Sequence, residues 1–496
     1  MAGYDRNQGT GKKNSGFGAK RDGMAKRDGR QQSVGKPGAE RASAGRTSAE
    51  RTSAGRTSSG KSGVGKKNTD RFVASKQGAG RTESGRQGAG KSESGRQESG
   101  MGRPGAGRPA TGAPKKKSLC PASRKCGGCQ YLDMPYPEQL KLKQTEMQKL
   151  LSKFCKVYEI KGMKDPLHYR NKVHAVFGYR KGEAISGVYE AGTHNLIPVE
   201  TCMIEDQKAD EIIGTIRGML KSFKIRTYDE DSGYGLLRHV LIRRGFTTGQ
   251  IMVVLVTASP VFPSRNNFVK ALREKHPEIT TIVQNLNDRE TSMILGDKEH
   301  VLFGKGYIED ELCGCRFRIS PKSFYQINPV QTEHLYGKAI ELAGLTGKET
   351  VLDAYCGIGT IGIIASRHAK QVIGVELNQD AVRDAIQNAK CNDISNIRFF
   401  CNDATKFMMQ MAESGDSVDV VLMDPPRSGS TEEFIGAVAA VKAKRVIYVS
   451  CGPDTLARDL EVFKKVGYQA EGAWPFDLFP QTAHTEVCVN LERKEK

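Results

Sequence analysis

The 496-residue sequence predicts an α/β protein whose C-terminal part is a doubly wound, mostly parallel sheet. Two observations lead to this expectation. From Pro321 onward, apolar strand runs ("ETVLDAY", "QVIGVEL", "NIRFFCND", "DVVLMDPP", "RVIYVSC") alternate with segments of helical period. Such alternation belongs to a parallel sheet wound by helices. Two later runs, "YQAEGAWPFDLF" and "TEVCVNLER", have no helical pattern between them and so read as antiparallel.

Ahead of this sheet, strand runs such as "HVLIRRGFTTGQIMVVLVT" and "CGCRFRIS" dominate from about 169 to 320, with one helix near "IEDQKADEIIGTIRGMLKSF". A helix is also expected over "YPEQLKLKQTEMQKLLSKF", following a cysteine-rich stretch. The expected organisation is therefore a basic tail over 1–117, a mixed α+β central domain with a cysteine cluster over 118–320, and the doubly wound domain over 321–496. The tail repeats loosely ("SAGRTSAERTSAGRTSSGKSG", "GAGRTESGRQGAGKSESGRQESG") and is too poor in apolar residues to offset chain entropy, so it is expected to be disordered.

Charge follows the same division. The chain carries a formal +20, and residues 1–117 hold 27 Lys and Arg against 9 Asp and Glu, leaving only +2 for the remainder. A basic arm on a nearly neutral body points to an anionic partner, and to contacts with nucleic-acid phosphates that weaken with salt. The N-terminus lacks the apolar core of a signal peptide, and no run approaches the roughly 18 apolar residues of a membrane span. Twelve cysteines scattered through enzyme-like segments fit a reducing, cytoplasmic setting.

The segment "VLDAYCGIGTIGIIA" reads as strand, glycine-rich turn and helix, a form that brings backbone close to a ligand. Gly357, Gly359 and Gly362 satisfy G-x-G-x-x-G, and Glu376 ends the next strand, where a carboxylate can accept from ribose hydroxyls. A nicotinamide dinucleotide would use the same turn. However, Asp353, Asp403 and Asp424 also fall at or near strand ends, and acids there suit a cationic ligand better than a pyrophosphate. S-adenosylmethionine, with its amino acid, ribose, adenine and sulfonium, matches that spread of acids. Cys451, where the strand "VIYVS" turns into a helix at Gly452-Pro453, reads as a reactive thiol at the ligand-facing end of the sheet.

In this order, "SFYQINP", "DAYCGIGT", "GVELN", "MDPPRSG", "YVSCGPDT" and "DLFPQTAHTEV" resemble the RNA uracil-5-methyltransferases over roughly Leu119 to Arg493. The resemblance implies a class I methyltransferase domain with S-adenosylmethionine held by Gln326, Tyr355, Glu376 and Asp424. It further implies Cys451 as nucleophile and Glu486 as base. Bottom-up chemistry agrees. Uracil C5 is a poor nucleophile until a thiolate adds at C6 and generates an enolate, and the base must leave its stack to be reached. Cytosine-5 methylation uses the same thiolate logic, but its enzymes usually carry Pro-Cys where this chain has "DPPR". An RNA-binding protein with an inactive fold is disfavoured by the presence of both Cys451 and Glu486. Many ribosomal members begin with a small β-barrel RNA-binding domain, whereas here only the basic tail precedes Leu119.

"CPASRKCGGCQYL" spaces Cys120, Cys126 and Cys129, and Cys202 is the expected fourth member. Four thiolates suit zinc or a [4Fe–4S] cluster, and spacing does not choose between them. The resemblance favours the cluster and 23S rRNA, since transfer-RNA enzymes of the family commonly lack these cysteines. A radical mechanism would use a different spacing and leave Cys451 without a role. Cys155, Cys391 and Cys401 are expected in the core, Cys313 and Cys315 in a hairpin, and the protein is expected to act as a monomer.

Overall fold

The computed structural model describes residues 118–494 apart from 292, so the expected disordered tail lies outside the described residues. Two large sheets organise the described part.

The C-terminal sheet has eight strands. Seven come from the C-terminal region, in the spatial order third, second, first, fourth, fifth, seventh, sixth: Ile397–Cys401, Gln371–Glu376, Thr350–Ala354, Val420–Met423, Arg445–Ser450, Glu486–Arg493 and Tyr468–Phe476. All are parallel except Glu486–Arg493, which runs antiparallel to both neighbours, as the missing helical pattern predicted. Order reverses between Thr350–Ala354 and Val420–Met423, and that switch point is where open α/β sheets take ligands. The central strands are buried along their length (Val351, Leu352, Val421, Leu422, Val446, Ile447), as strands covered by helices on both faces must be.

The eighth strand, Lys156–Val157, comes from far upstream and pairs parallel with Tyr468–Phe476 at the sheet edge. Its preceding helix, Tyr136–Leu151, buries Met147 and Leu151 in the same core as Leu456, Leu460 and Phe463. Residues 136–157 therefore pack on the C-terminal sheet, although in sequence they precede the strand-rich region. An apolar stripe of helical period says that a helix docks somewhere, not which sheet it covers.

The second sheet has seven strands, Lys172–Arg180 and Leu237–Arg244 at its centre, and one face is covered by helices Gln207–Met219 and Arg265–Lys275. Leu241, Met252, Val254, Val256 and Val283 on the other face share one core with Leu335, Tyr336, Ile358 and Ile447. Cys313 and Cys315 flank the turn of the hairpin Ile308–Leu312/Cys315–Ile319, as expected. Cys391 and Cys401 are exposed, contrary to the core expectation. Cys391 closes helix Gln379–Cys391 at its C-terminal end, and Cys401 closes the edge strand of the large sheet, where no further strand covers it.

Candidate active site

The glycine-rich turn follows Thr350–Ala354 directly. Tyr355, Gly357 and Gly359 have φ of 63°, 55° and 83°, a left-handed path that lets the helix Thr360–Ser366 start at the strand end. Asp353 is buried, and its Oδ2 accepts from the Gly362 amide at 2.8 Å. A Cβ at Gly362 would lie 2.6 Å from that oxygen, so the third glycine serves the fit of helix on strand. Glu376 accepts from the Gly357 amide at 3.1 Å and the Asn378 amide at 2.8 Å, which ties its strand end to the turn. Each carboxylate oxygen keeps a further lone pair for a ligand. Asp403 caps the helix Ala404–Glu413 by accepting from the Lys406 amide at 3.0 Å.

Asp353, Glu376 and Asp424 converge from three strand ends, and the mutual repulsion shows in Asp353. Burial first, and then Asp424 and Glu376, push its carboxyl up to about 8. Burial pushes Asp424 up to about 7, and none of its side-chain oxygens is paired with a protein cation among the described residues. Gln326 enters from the segment after the central region. Its backbone carbonyl accepts from Asn171 Nδ2 at 3.2 Å, and its side chain meets the buried hydroxyl of Tyr336, which also reaches Thr360 and lies near Asp424. Tyr336 escaped the sequence reading because in "PVQTEHLYGKAIELAG" it is one more member of a buried helix face.

Cys451 follows Ser450, the last residue of its strand; Ser450 pairs with Val487, so Cys451 and Glu486 each adjoin that pair, and the Glu486 charge bears on the Cys451 thiol. The Cys451 turn is fixed to the loop after Asp424: Thr455 Oγ1 donates to the Arg427 carbonyl at 3.1 Å, and a Cβ at Gly452 would sit 2.9 Å from that oxygen. Glu486 is buried, with Oε2 lacking any hydrogen-bond partner among the described residues. Burial and then Asp424 raise its pKa well above the carboxylate range, against the pull of Arg427. Burial, Glu486 and Asp424 likewise push the half-buried Cys451 thiol up to about 11, with Arg427 opposing. Arg427 is thus a cation at the site that "DPPR" contained but that sequence gave no separate reason to single out.

The four sequence-predicted cysteines, Cys120, Cys126, Cys129 and Cys202, line one cavity of about 220 Å³ together with Arg170 and Glu205. Burial, Cys126 and Cys120 push Cys129 up to about 11, while burial and Glu205 push Cys202 up to about 12. Among the described residues no three Cys, His, Asp or Glu side chains stand as a single metal ion requires.

A protein-family model described as tRNA (Uracil-5-)-methyltransferase matches residues 135–494. The chain belongs to the RNA uracil-5-methyltransferase family. It is 42% identical over 380 residues to an uncharacterized RNA methyltransferase of Halalkalibacterium halodurans, covering 76% of this chain and 83% of that protein. A relative in Clostridium acetobutylicum, named in the same way, is 41% identical over 389 residues, covering 77% and 85%. The fold is similar to the crystal structure of Pyrococcus abyssi tRNA (uracil-54, C5)-methyltransferase in complex with S-adenosyl-L-homocysteine. The TM-score there is 0.63 and identity 24%, over 73% of this chain and 85% of that one. As a member of this family the protein is an S-adenosylmethionine-dependent RNA methyltransferase, and a desolvated cluster of acids fits a cationic donor.

The raised carboxyls make that fit measurable. A carboxyl whose pKa is higher in the folded state stabilises the fold fully below its ordinary pKa and loses that contribution as pH rises through the folded value. Thermal stability of the free protein should therefore fall as pH climbs from the ordinary carboxyl value of 3.8 and level off above about 7 for Asp424 and about 8 for Asp353. A bound cation lowers both pKa values, so S-adenosylmethionine should bind at neutral pH with net proton release, read as a dependence of binding enthalpy on buffer ionisation heat. S-adenosylhomocysteine, without the sulfonium, should release fewer protons. Equal uptake or no exchange with both ligands would contradict the acid-cluster account.

Proposed function

We propose that the protein methylates C5 of a uridine in RNA through a covalent adduct between Cys451 and C6, with Glu486 as the base and 23S rRNA as the substrate. The observation that carries this reading is the nearness of the Cys451 thiol to a buried Glu486 whose Oε2 has no hydrogen-bond partner among the described residues, next to the acid cluster.

Gln326, Tyr355, Glu376 and Asp424 would hold the donor, which when bound supplies a methyl group on a positively charged sulfur. The chain's own residues do the rest. The Cys451 thiolate adds to C6 of a uridine turned out of its stack, and the C5=C6 electrons move onto C5 and O4. C5 then takes the methyl group. Glu486 removes the C5 proton, the C5=C6 double bond re-forms, and the C6–S bond breaks to return Cys451. No oxidant or reductant is needed.

Burial times this sequence. With a cation in the cluster, Glu486 and Asp424 are drawn toward their ionised forms and Arg427 assists ionisation of Cys451. Once the methyl group has moved, the positive charge is gone. Glu486 is then a carboxylate in a dry pocket, a strong base at the step that needs one.

Two substitutions should fail differently. Cys451→Ala should bind donor and RNA but transfer no methyl group. Glu486→Gln should permit addition and methylation but stall elimination, so a methylated RNA–protein adduct accumulates as a slow band on a denaturing gel. Adduct formation by Cys451→Ala, or normal turnover by Glu486→Gln, would overturn the assignment. Mapping 5-methyluridine after incubation with labelled donor and total RNA identifies the substrate. Methylation of transfer RNA in place of 23S rRNA would favour the substrate in the matching family's description.

We also propose that Cys120, Cys126, Cys129 and Cys202 hold a [4Fe–4S] cluster. Four thiols from two chain segments on one cavity support it, since four cysteine thiolates are the usual ligands of such a cluster. A cluster binds its thiolates at separate irons and so holds them farther apart than a single zinc does. Protein purified without oxygen should contain iron and sulfide in equal amounts. Stoichiometric zinc with no iron would contradict the cluster. The same four cysteines support the ribosomal reading of the substrate.

A further inference from the structure

Among the described residues the Glu486 side chain makes no hydrogen bond, so its placement rests on the backbone that carries it. It opens the strand Glu486–Arg493 and pairs with Phe476, and residues 477–485 form the loop joining the two. That loop is folded around one ammonium group from the helix Tyr136–Leu151. Lys143 Nζ donates to Asp477 Oδ1 at 2.6 Å, to the Phe479 carbonyl at 3.2 Å and to the His484 carbonyl at 2.8 Å. All three donors of the ammonium are used. Lys143 and Asp477 side chains are both 0% exposed.

The surrounding contacts serve the same loop. Tyr136 Oη donates to Asp477 Oδ2 at 2.8 Å. Gln139 Nε2 donates to Gln481 Oε1 at 2.9 Å and its Oε1 accepts from the Gln481 amide at 3.0 Å. Immediately after Cys129, Gln130 Oε1 accepts from the Ala483 amide at 3.2 Å, and the Tyr131 amide donates to the Gln481 carbonyl at 3.0 Å.

A fully buried lysine is an expensive way to attach a helix, since a buried ion pair gains little stability over an apolar contact of equal volume. What it adds here is geometry, because three acceptors spread over eight residues are gathered at one point. We propose that Lys143 is a positioning residue, holding the 477–485 loop so that Glu486 faces the C5 proton, and that it therefore governs release of the methylated product and not methyl transfer. The proposal rests on the assignment of Glu486 as base.

Lys143→Met leaves Asp477 buried without its partner and risks the fold, so the test also uses Lys143→Met/Asp477→Asn, which removes both charges. Single-turnover reactions of the full chain with the RNA that the wild-type protein methylates separate two rates: formation of the methylated adduct, and its breakdown to free RNA. In a folded variant, adduct formation should stay within about twofold of wild type. Breakdown should slow roughly tenfold to a hundredfold, the scale expected for a small misplacement of a reacting group, and the adduct should accumulate. Equal slowing of both steps, or breakdown at the wild-type rate in the folded double variant, would overturn the positioning role. Glu486→Gln is run in parallel. If it accumulates no adduct, the base assignment itself fails; if it does and the Lys143 variants do not, only this inference fails.

Discussion

The structure depends on carboxyl groups placed largely out of water, without a salt-bridge partner among the described residues. Asp353 and Asp424 lie at the carboxyl ends of parallel strands in the C-terminal sheet, Glu486 opens the antiparallel one, and burial raises all three. In a protein selected only for stability such groups would be paired or replaced, since an unpaired buried charge costs several kcal/mol. Here they are held by elements that serve the same end. A glycine at 362 lets the helix approach Asp353, the switch in strand order opens the space, and the reversed last strand brings Glu486 near Cys451.

One cation reconciles these groups, and only while it is there. In the proposed mechanism the acids that attract a sulfonium become a problem once the methyl group has left, and that change makes Glu486 a stronger base. Cys451 follows the same logic in reverse. Burial, and then the neighbouring acids, hold its thiol protonated, so in the proposed mechanism it is quiet until the charge in the cluster is balanced.

Much of this was legible in the sequence because it depends on local pattern. The alternation of strands and helices after Pro321 carries the sheet, and the absence of a helix between "YQAEGAWPFDLF" and "TEVCVNLER" carries its antiparallel end. Cys451, Asp424 and Glu376 could be placed because strand ends are visible as breaks in apolar runs. What was not legible depends on pairing between distant segments. Nothing in "YPEQLKLKQ" says that Lys143 is buried against Asp477, since a lysine on a helix normally reads as solvated. Tyr336 was hidden among apolar neighbours, and Cys391 and Cys401 look like core until the helix end and sheet edge that expose them are known. The four cysteines were readable as a set by spacing, yet their common cavity needed the fold to bring Cys202 to the first three.

In the proposed reaction Cys451 attacks C6 and Glu486 completes the sequence by taking the C5 proton. This is tested most directly with RNA in which the target uridine is replaced by 5-fluorouridine. Fluorine leaves no C5 proton to remove, so the wild-type protein should methylate the base once and remain bound to it. Mass spectrometry of the digested adduct should place the methylated nucleotide on the peptide containing Cys451. A cross-link on another residue, or full turnover with no adduct, would contradict the account.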